Sequence, residues 1–149
     1  MLKEIKTQIV INASPSEVWS VLTDFKRYPD WNPFILHIEG DVKEGSRIKI
    51  RIQPSGSKAM TFKPRVLKME PNQELRWFGS LICKGLFDGE HCFELIDNHN
   101  GTTTFIHSER FSGIFLGLFH TNNTKIGFEL MNNKLKELVE ARGWKATTA

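Results

Sequence analysis

The sequence predicts an α+β fold in which a curved antiparallel sheet of about seven strands wraps around a long C-terminal helix, with two short helices after the first strand. Three observations support this prediction. Several segments alternate apolar and polar residues with the period of two that is typical of strands. Residues 122–142 instead repeat apolar residues at helical spacing. Residues 14–17 read Ser-Pro-Ser-Glu, a capping box with proline in the first turn, which indicates the start of a helix.

The composition is that of one folded domain. The chain has 149 residues, 40% hydrophobic and 25% charged, which excludes overall disorder and predicts a single domain over residues 1–149, with a frayed tail at 143–149. The net charge of +3 is too small to indicate nucleic-acid binding. No apolar run approaches the roughly 20 residues of a membrane span, and residues 1–6 lack the apolar region of a secretory signal. We therefore expect a cytoplasmic protein without stable membrane insertion.

The N-terminal elements follow from local signals. Residues 3–12 alternate and are rich in Ile, Val and Thr, which predicts the first strand. The helix that Ser14 caps is expected to end before Pro29. Residues 28–34 contain two prolines and predict a compact turn or short helix, and a short strand is expected at residues 35–39.

The middle of the chain predicts an antiparallel meander, because its strands are joined by short turns. Pro64 lacks the N–H that a central strand needs, so we expect an edge position or a bulge there. The predicted strands cover residues 46–53, 59–69, 74–81, 87–96 and 102–111.

The final helix is expected to begin at Thr121 or Asn122 and to reach Arg142. Gly143 is predicted to be the first residue beyond its end, followed by a contact of Trp144. Its apolar stripe consists of Phe128, Met131, Leu135, Leu138 and Val139.

Motifs for several kinds of chemistry are missing from the sequence. Cys83 and Cys92 are expected to be reduced, because a hairpin turn near residues 84–85 would keep them from facing each other. No zinc-binding spacing, phosphate-binding loop, dinucleotide fingerprint or nucleophile motif is present. We expect neither a metal nor a cofactor, and nucleotide-dependent chemistry is disfavoured.

Three residues are candidates for acid–base chemistry. His107 and Glu109 are two residues apart and share one strand face. If the preceding strand pairs around a loop at residues 97–101, His91 lies nearly opposite His107 on the interior face. Two imidazoles and a carboxylate there could exchange protons with a ketone or hydroxyl. They could also anchor a ligand, form a polar network that holds the strands in register, or less readily bind a metal.

Four segments resemble the START-like (SRPBCC) superfamily with its helix-grip fold, in particular its polyketide cyclase/dehydrase-like branch. They are residues 11–19, 28–34, 89–95 and 107–113. The resemblance covers essentially the whole chain and implies a deep cavity between the sheet and the long helix. It also implies a lipid, sterol-like or polyketide ligand in that cavity, and in some members ring closure or dehydration.

The sequence contains 11 Phe and 4 Trp but a single Tyr, which favours apolar contact surface over polar display. Trp31 and Phe34 could form a cavity wall or simply a packed turn. The candidate ligand-binding residues are Trp31, Phe34, Ile50, Phe62, Trp77, His91, Phe93, His107, Glu109, Phe115, Phe128 and Met131.

Residues 113–119 form an apolar loop with two glycines just before the final helix. Such a loop could be a lid, a membrane contact, a homodimer contact or part of the core. Three functions therefore stay open. The first is binding of a small hydrophobic ligand in an internal cavity. The second is a cyclase or dehydratase that uses the His/Glu group, and the third is an interaction module that uses this loop.

Overall fold

A computed structural model describes residues 2–80, 85, 87–114 and 121–144 of the chain. A short 3-10 turn at Phe25–Arg27 lies between the first two helices. In chain order the other elements are β1 Leu2–Ile11, α1 Pro15–Leu22, α2 Tyr28–Trp31, β2 Ile35–Glu39, β3 Lys49–Ile52, β4 Met60–Phe62, β5 Arg65–Glu70, β6 Glu74–Ser80, β7 Asp88–Asp97, β8 Thr103–Ser112 and α3 Asn122–Glu140.

The strands form two antiparallel sheets. Five strands are ordered β1-β8-β7-β6-β5, and three are ordered β2-β3-β4. Helix α3 packs against β1, β8 and α1. The α+β fold class with two short helices after the first strand and a long C-terminal helix is therefore confirmed.

Pro64 divides the segment that was predicted to be a single strand at residues 59–69. The two parts, β4 and β5, belong to different sheets, so the described residues contain eight strands rather than about seven. The division follows from the missing N–H of proline. The Pro64 carbonyl still accepts a hydrogen bond from Ile48 N–H at 2.9 Å, and Val66 N–H donates to the Ser46 carbonyl at 2.9 Å. These two bonds join the sheets across the bend.

The capping box of α1 is present as predicted. The Ser14 hydroxyl accepts from Glu17 N–H at 3.3 Å, and the Glu17 carboxylate accepts from Ser14 N–H at 3.4 Å. Both donors would otherwise lack a partner at the helix end. Pro15 occupies the first turn, where its missing N–H costs nothing.

The end of α3 differs from the prediction. The helix ends at Glu140 rather than Arg142, and Arg142, with φ of 56°, adopts the left-handed conformation that is common just beyond a helix end. Its guanidinium donates to the Asn12 carbonyl at 2.8 Å and to the Glu17 carboxylate at 3.2 Å. These tertiary bonds offset the cost of this conformation for a residue with a side chain. Trp144, within the segment expected to fray, contacts the Arg27 guanidinium at 3.7 Å; residues 145–149 lie outside the described residues.

Gly127 lets Phe34 approach α3. A Cβ atom at Gly127 would lie 2.6 Å from Cδ1 of Phe34, whose ring also packs edge-to-face on Phe128 at 5.1 Å. The described backbone at Gly127 is ordinary helix, so the glycine serves this close approach rather than an unusual conformation.

Gly127→Ala is expected to destabilise the protein by up to about 2 kcal/mol. Overpacking of a core costs about 1–3 kcal/mol, and the roughly 1 kcal/mol that alanine gains over glycine in a helix offsets part of that cost. Denaturant unfolding measures the effect, with the exposed Asn133→Ala on the same helix as control. In a Phe34→Leu background the same change should cost less, and an equal cost in both backgrounds would contradict this packing argument.

Candidate functional site

A largely apolar pocket lies between the three-stranded sheet, strands β6–β8 and the start of α3. Its empty space, including the part open to solvent, is about 700 Å³. Glu109 is the one charged side chain among the described residues that line it. The lining consists of Ile50, Ile52, Pro54, Met60, Phe62, Pro64, Trp77, Gly79, Phe87, Gly89, Glu109, Phe111 and Thr124.

Two glycines make room for this pocket. Gly79 and Gly89 are paired across β6 and β7. A Cβ at Gly79 would lie 3.2 Å from Cβ of Pro64, and one at Gly89 would lie 3.0 Å from Oε1 of Glu109. Gly89 therefore allows the Glu109 carboxylate to lie flat against the sheet at the pocket wall.

The predicted register of the β7–β8 hairpin was wrong by two residues. His91 lies opposite Glu109, and His107 lies opposite Phe93, rather than His91 opposite His107. The loop spans residues 98–102 instead of 97–101, and it is closed by a hydrogen bond from Asn98 N–H to the Thr102 carbonyl at 3.1 Å. A two-residue slip keeps every side chain on its predicted face.

The three candidate residues nevertheless come together. Nε2 of His107 lies 2.9 Å from Nε2 of His91, diagonally across the two strands. Nδ1 of His91 lies 3.4 Å from Oε1 of Glu109. His91 and His107 are buried, and Glu109 extends from them to the pocket wall. The arrangement is a polar chain that begins at the pocket and runs into the core.

Two residues that sequence reasoning missed continue this chain. Nδ1 of His107 lies 2.9 Å from Oδ1 of Asn132 on α3, and Asn132 Nδ2 donates to the Thr7 hydroxyl at 2.8 Å. The Thr7 hydroxyl donates to the His107 carbonyl at 2.9 Å. Asn132 is four residues after Phe128 and three before Leu135, so an amide within the apolar stripe of α3 was a readable signal.

Aromatic rings enclose both imidazoles. The His107 ring stacks on Phe128 with centroids 3.9 Å apart and planes at 6°. The His91 ring stacks on Trp77 at 5.0 Å and 12°, and Phe93 contacts both imidazoles at 4.8 and 4.7 Å. This apolar surrounding disfavours a positive charge on the His107 imidazole.

The electrostatics of His107 follow from this enclosure. Burial and then the neighbouring His91 lower the pKa of His107 well below its usual value, against the opposing effect of the Asn132 hydrogen bond. His107 is therefore neutral at physiological pH, with one ring nitrogen as donor and the other as acceptor.

The predicted ligand-binding residues within the described part of the chain divide into two groups. The pocket is lined by Ile50, Phe62, Trp77 and Glu109. Buried in the core, away from the described lining, are Trp31, Phe34, His91, Phe93, His107, Phe128 and Met131. Phe115 lies outside the described residues, as does most of the apolar loop at 113–119.

A second polar cluster lies on the opposite face of the large sheet. Ligand atoms of Glu74, Cys92 and Glu94 lie within 4.8 Å of one another. The Glu74 carboxylate already contacts the Arg76 guanidinium at 3.2 Å. Burial raises the pKa of the Cys92 thiol to about 12, so the thiol stays protonated. Cys83, its expected reduced companion, lies outside the described residues.

The antiparallel sheet, the long C-terminal helix and the apolar pocket beside a buried polar chain define a small helix-grip protein. The chain belongs to the polyketide cyclase / dehydrase and lipid transport family, whose model matches residues 3–140. No curated protein matches the chain in sequence. Among the described residues, no helix is both long and apolar enough to cross a membrane.

Solved structures share the fold at low identity. A point mutant of Thalictrum flavum norcoclaurine synthase with a transition-state analogue has TM-score 0.70 and 14% identity, covering 97% of this chain and 98% of that one. Major latex-like protein 151 of Panax ginseng has TM-score 0.73 and 11% identity, covering 92% and 97%. A protein from Chromobacterium violaceum has TM-score 0.68 and 18% identity, covering 92% and 96%.

The neutral His107 predicts a pH dependence of stability. Because its pKa is lower in the folded than in the unfolded protein, the unfolded chain takes up a proton first as the pH falls below about 6.5. This contribution to stability is present above that pH and is lost below it, at up to about 1.4 kcal/mol per pH unit. Denaturant unfolding between about pH 7 and pH 5 measures the slope.

His107→Gln should flatten this slope, whatever its effect on stability at neutral pH. His91 and Glu109 are present in both proteins, so the difference reports on His107. His99→Gln removes an exposed imidazole of the β7–β8 loop and should leave the slope as it is. Parallel curves for the wild type and His107→Gln would contradict the assignment of a neutral His107.

Proposed function

We propose that the protein binds a small hydrophobic ligand in the pocket between the two sheets, with Glu109 as its polar anchor. The observation that supports this proposal most directly is the contrast between the apolar walls of the pocket and its single charged side chain. Its described walls are apolar apart from Glu109 and Thr124, and the Glu109 carboxylate is backed by a buried imidazole. A mostly apolar concavity with few, fixed polar groups is typical of a ligand site.

The chemistry of the walls favours a ring-containing ligand. Phe62, Trp77, Phe87 and Phe111 present aromatic surface to the pocket. Removing apolar area from water contributes about 25 cal/mol per Å², and aromatic pairs add about 0.5–1.5 kcal/mol beyond burial. The family description, which includes lipid transport, is in keeping with an apolar ligand.

A pocket-filling variant tests this proposal. Ile52→Trp places a large ring at the described lining and should weaken binding of the neutral fluorescent probe N-phenylnaphthylamine by about tenfold or more, because the ring occupies the ligand volume. The matched control is Leu67→Trp, at an exposed position of β5 outside the described lining. Equal affinity in the wild type and Ile52→Trp would place the probe elsewhere and contradict the proposal.

The second candidate is an enzyme of the cyclase or dehydratase kind. The contact of His91 with Glu109 at the pocket wall favours it, because an imidazole and a carboxylate can move a proton to and from a substrate. Dehydration of a β-hydroxyketone would remove a proton from the carbon next to the carbonyl and release the hydroxyl, once protonated, as water. The family description names cyclases and dehydrases.

On this reading His91→Gln should lower kcat by about 100-fold or more with a small change in KM. Formation of the ultraviolet-absorbing enone from a β-hydroxyketone measures the rate. His37→Gln, at an exposed imidazole of β2 that is not among the described lining residues, is the control. An unchanged rate in His91→Gln would remove this candidate.

The cytoplasmic location and the homodimer or interaction role of residues 113–119 stay predictions.

A further inference from the structure

We propose that the outer face of the three-stranded sheet is a docking surface for an anionic lipid bilayer, which it contacts through basic side chains and does not penetrate. This surface, hereafter the basic face, consists of Arg47, Lys49, Arg51, Lys63 and Arg65. It lies on the side of the sheet that is turned away from the pocket. The inference therefore goes beyond the proposed function and does not depend on what the pocket binds.

The charge of the chain is unevenly distributed. Residues 43–68 contain eight basic residues and one acidic residue, a net charge of +7. The rest of the chain contains 12 basic and 16 acidic residues, a net charge of −4. The overall value of +3 therefore conceals a strongly basic segment, which forms β3, β4, the start of β5 and their connections. Such a local excess of one sign creates a field that attracts partners of the opposite charge.

Strand alternation sorts this segment into two faces. Ile50 and Phe62 line the pocket. Their chain neighbours Lys49, Arg51 and Lys63 are exposed, and they point to the opposite side of the sheet because successive side chains of a strand alternate between its faces. The apolar pocket wall and the basic face are therefore the two sides of one sheet.

Like charges lie opposite each other on the basic face. Arg47 pairs with Arg65 in an antiparallel bridge. The register of β3 with β4 is the same, and its continuation places Lys49 opposite Lys63. Like charges that face each other across two strands destabilise a sheet, so the stability of the fold does not account for these pairs. An anionic partner would relieve their repulsion.

Nearby carboxylates compensate little of this charge. A Glu39 oxygen lies 4.0 Å from Nζ of Lys49, and the Glu39 carboxylate also contacts the His37 imidazole at 3.6 Å. Glu44 accepts from the Met69 N–H at 3.2 Å. In the described part of the chain, no carboxylate lies within 4.0 Å of a charged nitrogen of the other four basic-face residues. Exposed ion pairs contribute little, so the basic face keeps most of its positive charge.

Two guanidinium groups of the basic face are held in place by the backbone. Arg47 donates to the Lys63 carbonyl and Arg65 donates to the Gly45 carbonyl, both at 2.7 Å. A carbonyl carries no net charge, so these bonds orient the two groups without neutralising them. A guanidinium has five N–H donors in a planar fork that matches a phosphate or carboxylate. Most of those donors are left for a partner.

The composition of this surface favours a bilayer over a folded protein or a nucleic-acid strand. The centre of a protein interface is depleted of charged residues, whereas residues 43–68, all of which the structure describes, expose Leu67 as their single large apolar side chain. A single nucleic-acid strand stacks on exposed rings, and Phe62, the one aromatic residue of this segment, faces the pocket. An anionic bilayer needs only basic side chains near its surface, each of which strengthens binding about fivefold.

Vesicle co-sedimentation of the intact protein tests this proposal. Binding is expected to phosphatidylcholine vesicles that contain about one-third phosphatidylserine and not to pure phosphatidylcholine, because the attraction is electrostatic. Raising the salt from about 0.1 M to about 0.5 M should release the protein, since salt screens the attraction. Equal binding to both kinds of vesicle would indicate insertion of apolar side chains and overturn the proposal, as would binding to neither.

The double variant Arg51→Gln/Lys63→Gln locates the contact. Both side chains are exposed, and neither forms a hydrogen bond within the described part of the chain. Because two cations are lost, binding to the phosphatidylserine vesicles should weaken by about tenfold or more. N-phenylnaphthylamine should bind this variant and the wild type equally, since both changed side chains point away from the pocket. The outcome is thus separable from that of the proposed function.

Lys6→Gln/Arg110→Gln is the matched control. It removes the same net charge from exposed positions on β1 and β8, at the other end of the large sheet from β5. Vesicle binding should then weaken by about twofold at most, because these cations lie far from the contact. Equal losses in the two double variants would show that net charge alone is responsible and would overturn the assignment to the basic face.

Soluble polyanions test the choice of partner. Polyglutamate and a short DNA duplex offer negative charge without a bilayer. At equal concentrations of negative charge, the vesicles should retain most of the protein. Complete displacement by either polymer would identify a soluble acidic partner and overturn the proposal of a bilayer.

Discussion

The hydrogen bond between the imidazoles of His91 and His107 is the constraint on which the rest of the site depends. Two polar rings lie between Trp77, Phe93 and Phe128, where an unpaired hydrogen-bonding group would cost about 1–3 kcal/mol. Each ring nitrogen must therefore find a partner within the protein, and those partners come from different elements. The imidazoles belong to β7 and β8, Asn132 to α3 and the Thr7 hydroxyl to β1.

This requirement ties the long helix to the sheet. Helix α3 would pack against β1 and β8 through apolar side chains alone, but such packing tolerates sliding and rotation. The bonds from Asn132 to His107 and Thr7 are directional, so they fix both the rotation of the helix and its height above the sheet. The ring of Phe34, the residue just before β2, packs against Gly127 and fixes the same helix from another side.

Much of the fold could be predicted because it depends on periodicity and on local chemistry. The capping box at Ser14, the apolar stripe of α3 and the inward face of His91 needed no tertiary information. The prediction that His91, His107 and Glu109 lie close together held even though the predicted pairing of β7 with β8 was wrong. A slip of two residues keeps each side chain on the same face of the sheet. The division at Pro64 and the left-handed Arg142 depend on which distant groups complete each backbone, which a local pattern does not contain.

The pocket shows a further limit of residue-level prediction. Ile50, Phe62, Trp77 and Glu109 were identifiable as candidates by residue type and strand face. The position of the Glu109 carboxylate at the pocket wall depends instead on groups that packing brings to it: Nδ1 of His91 lies 3.4 Å away, and Gly89 leaves the space that the carboxylate occupies. The polar end of the pocket is therefore a property of the packed β7–β8 hairpin as much as of the residues that a strand pattern identifies.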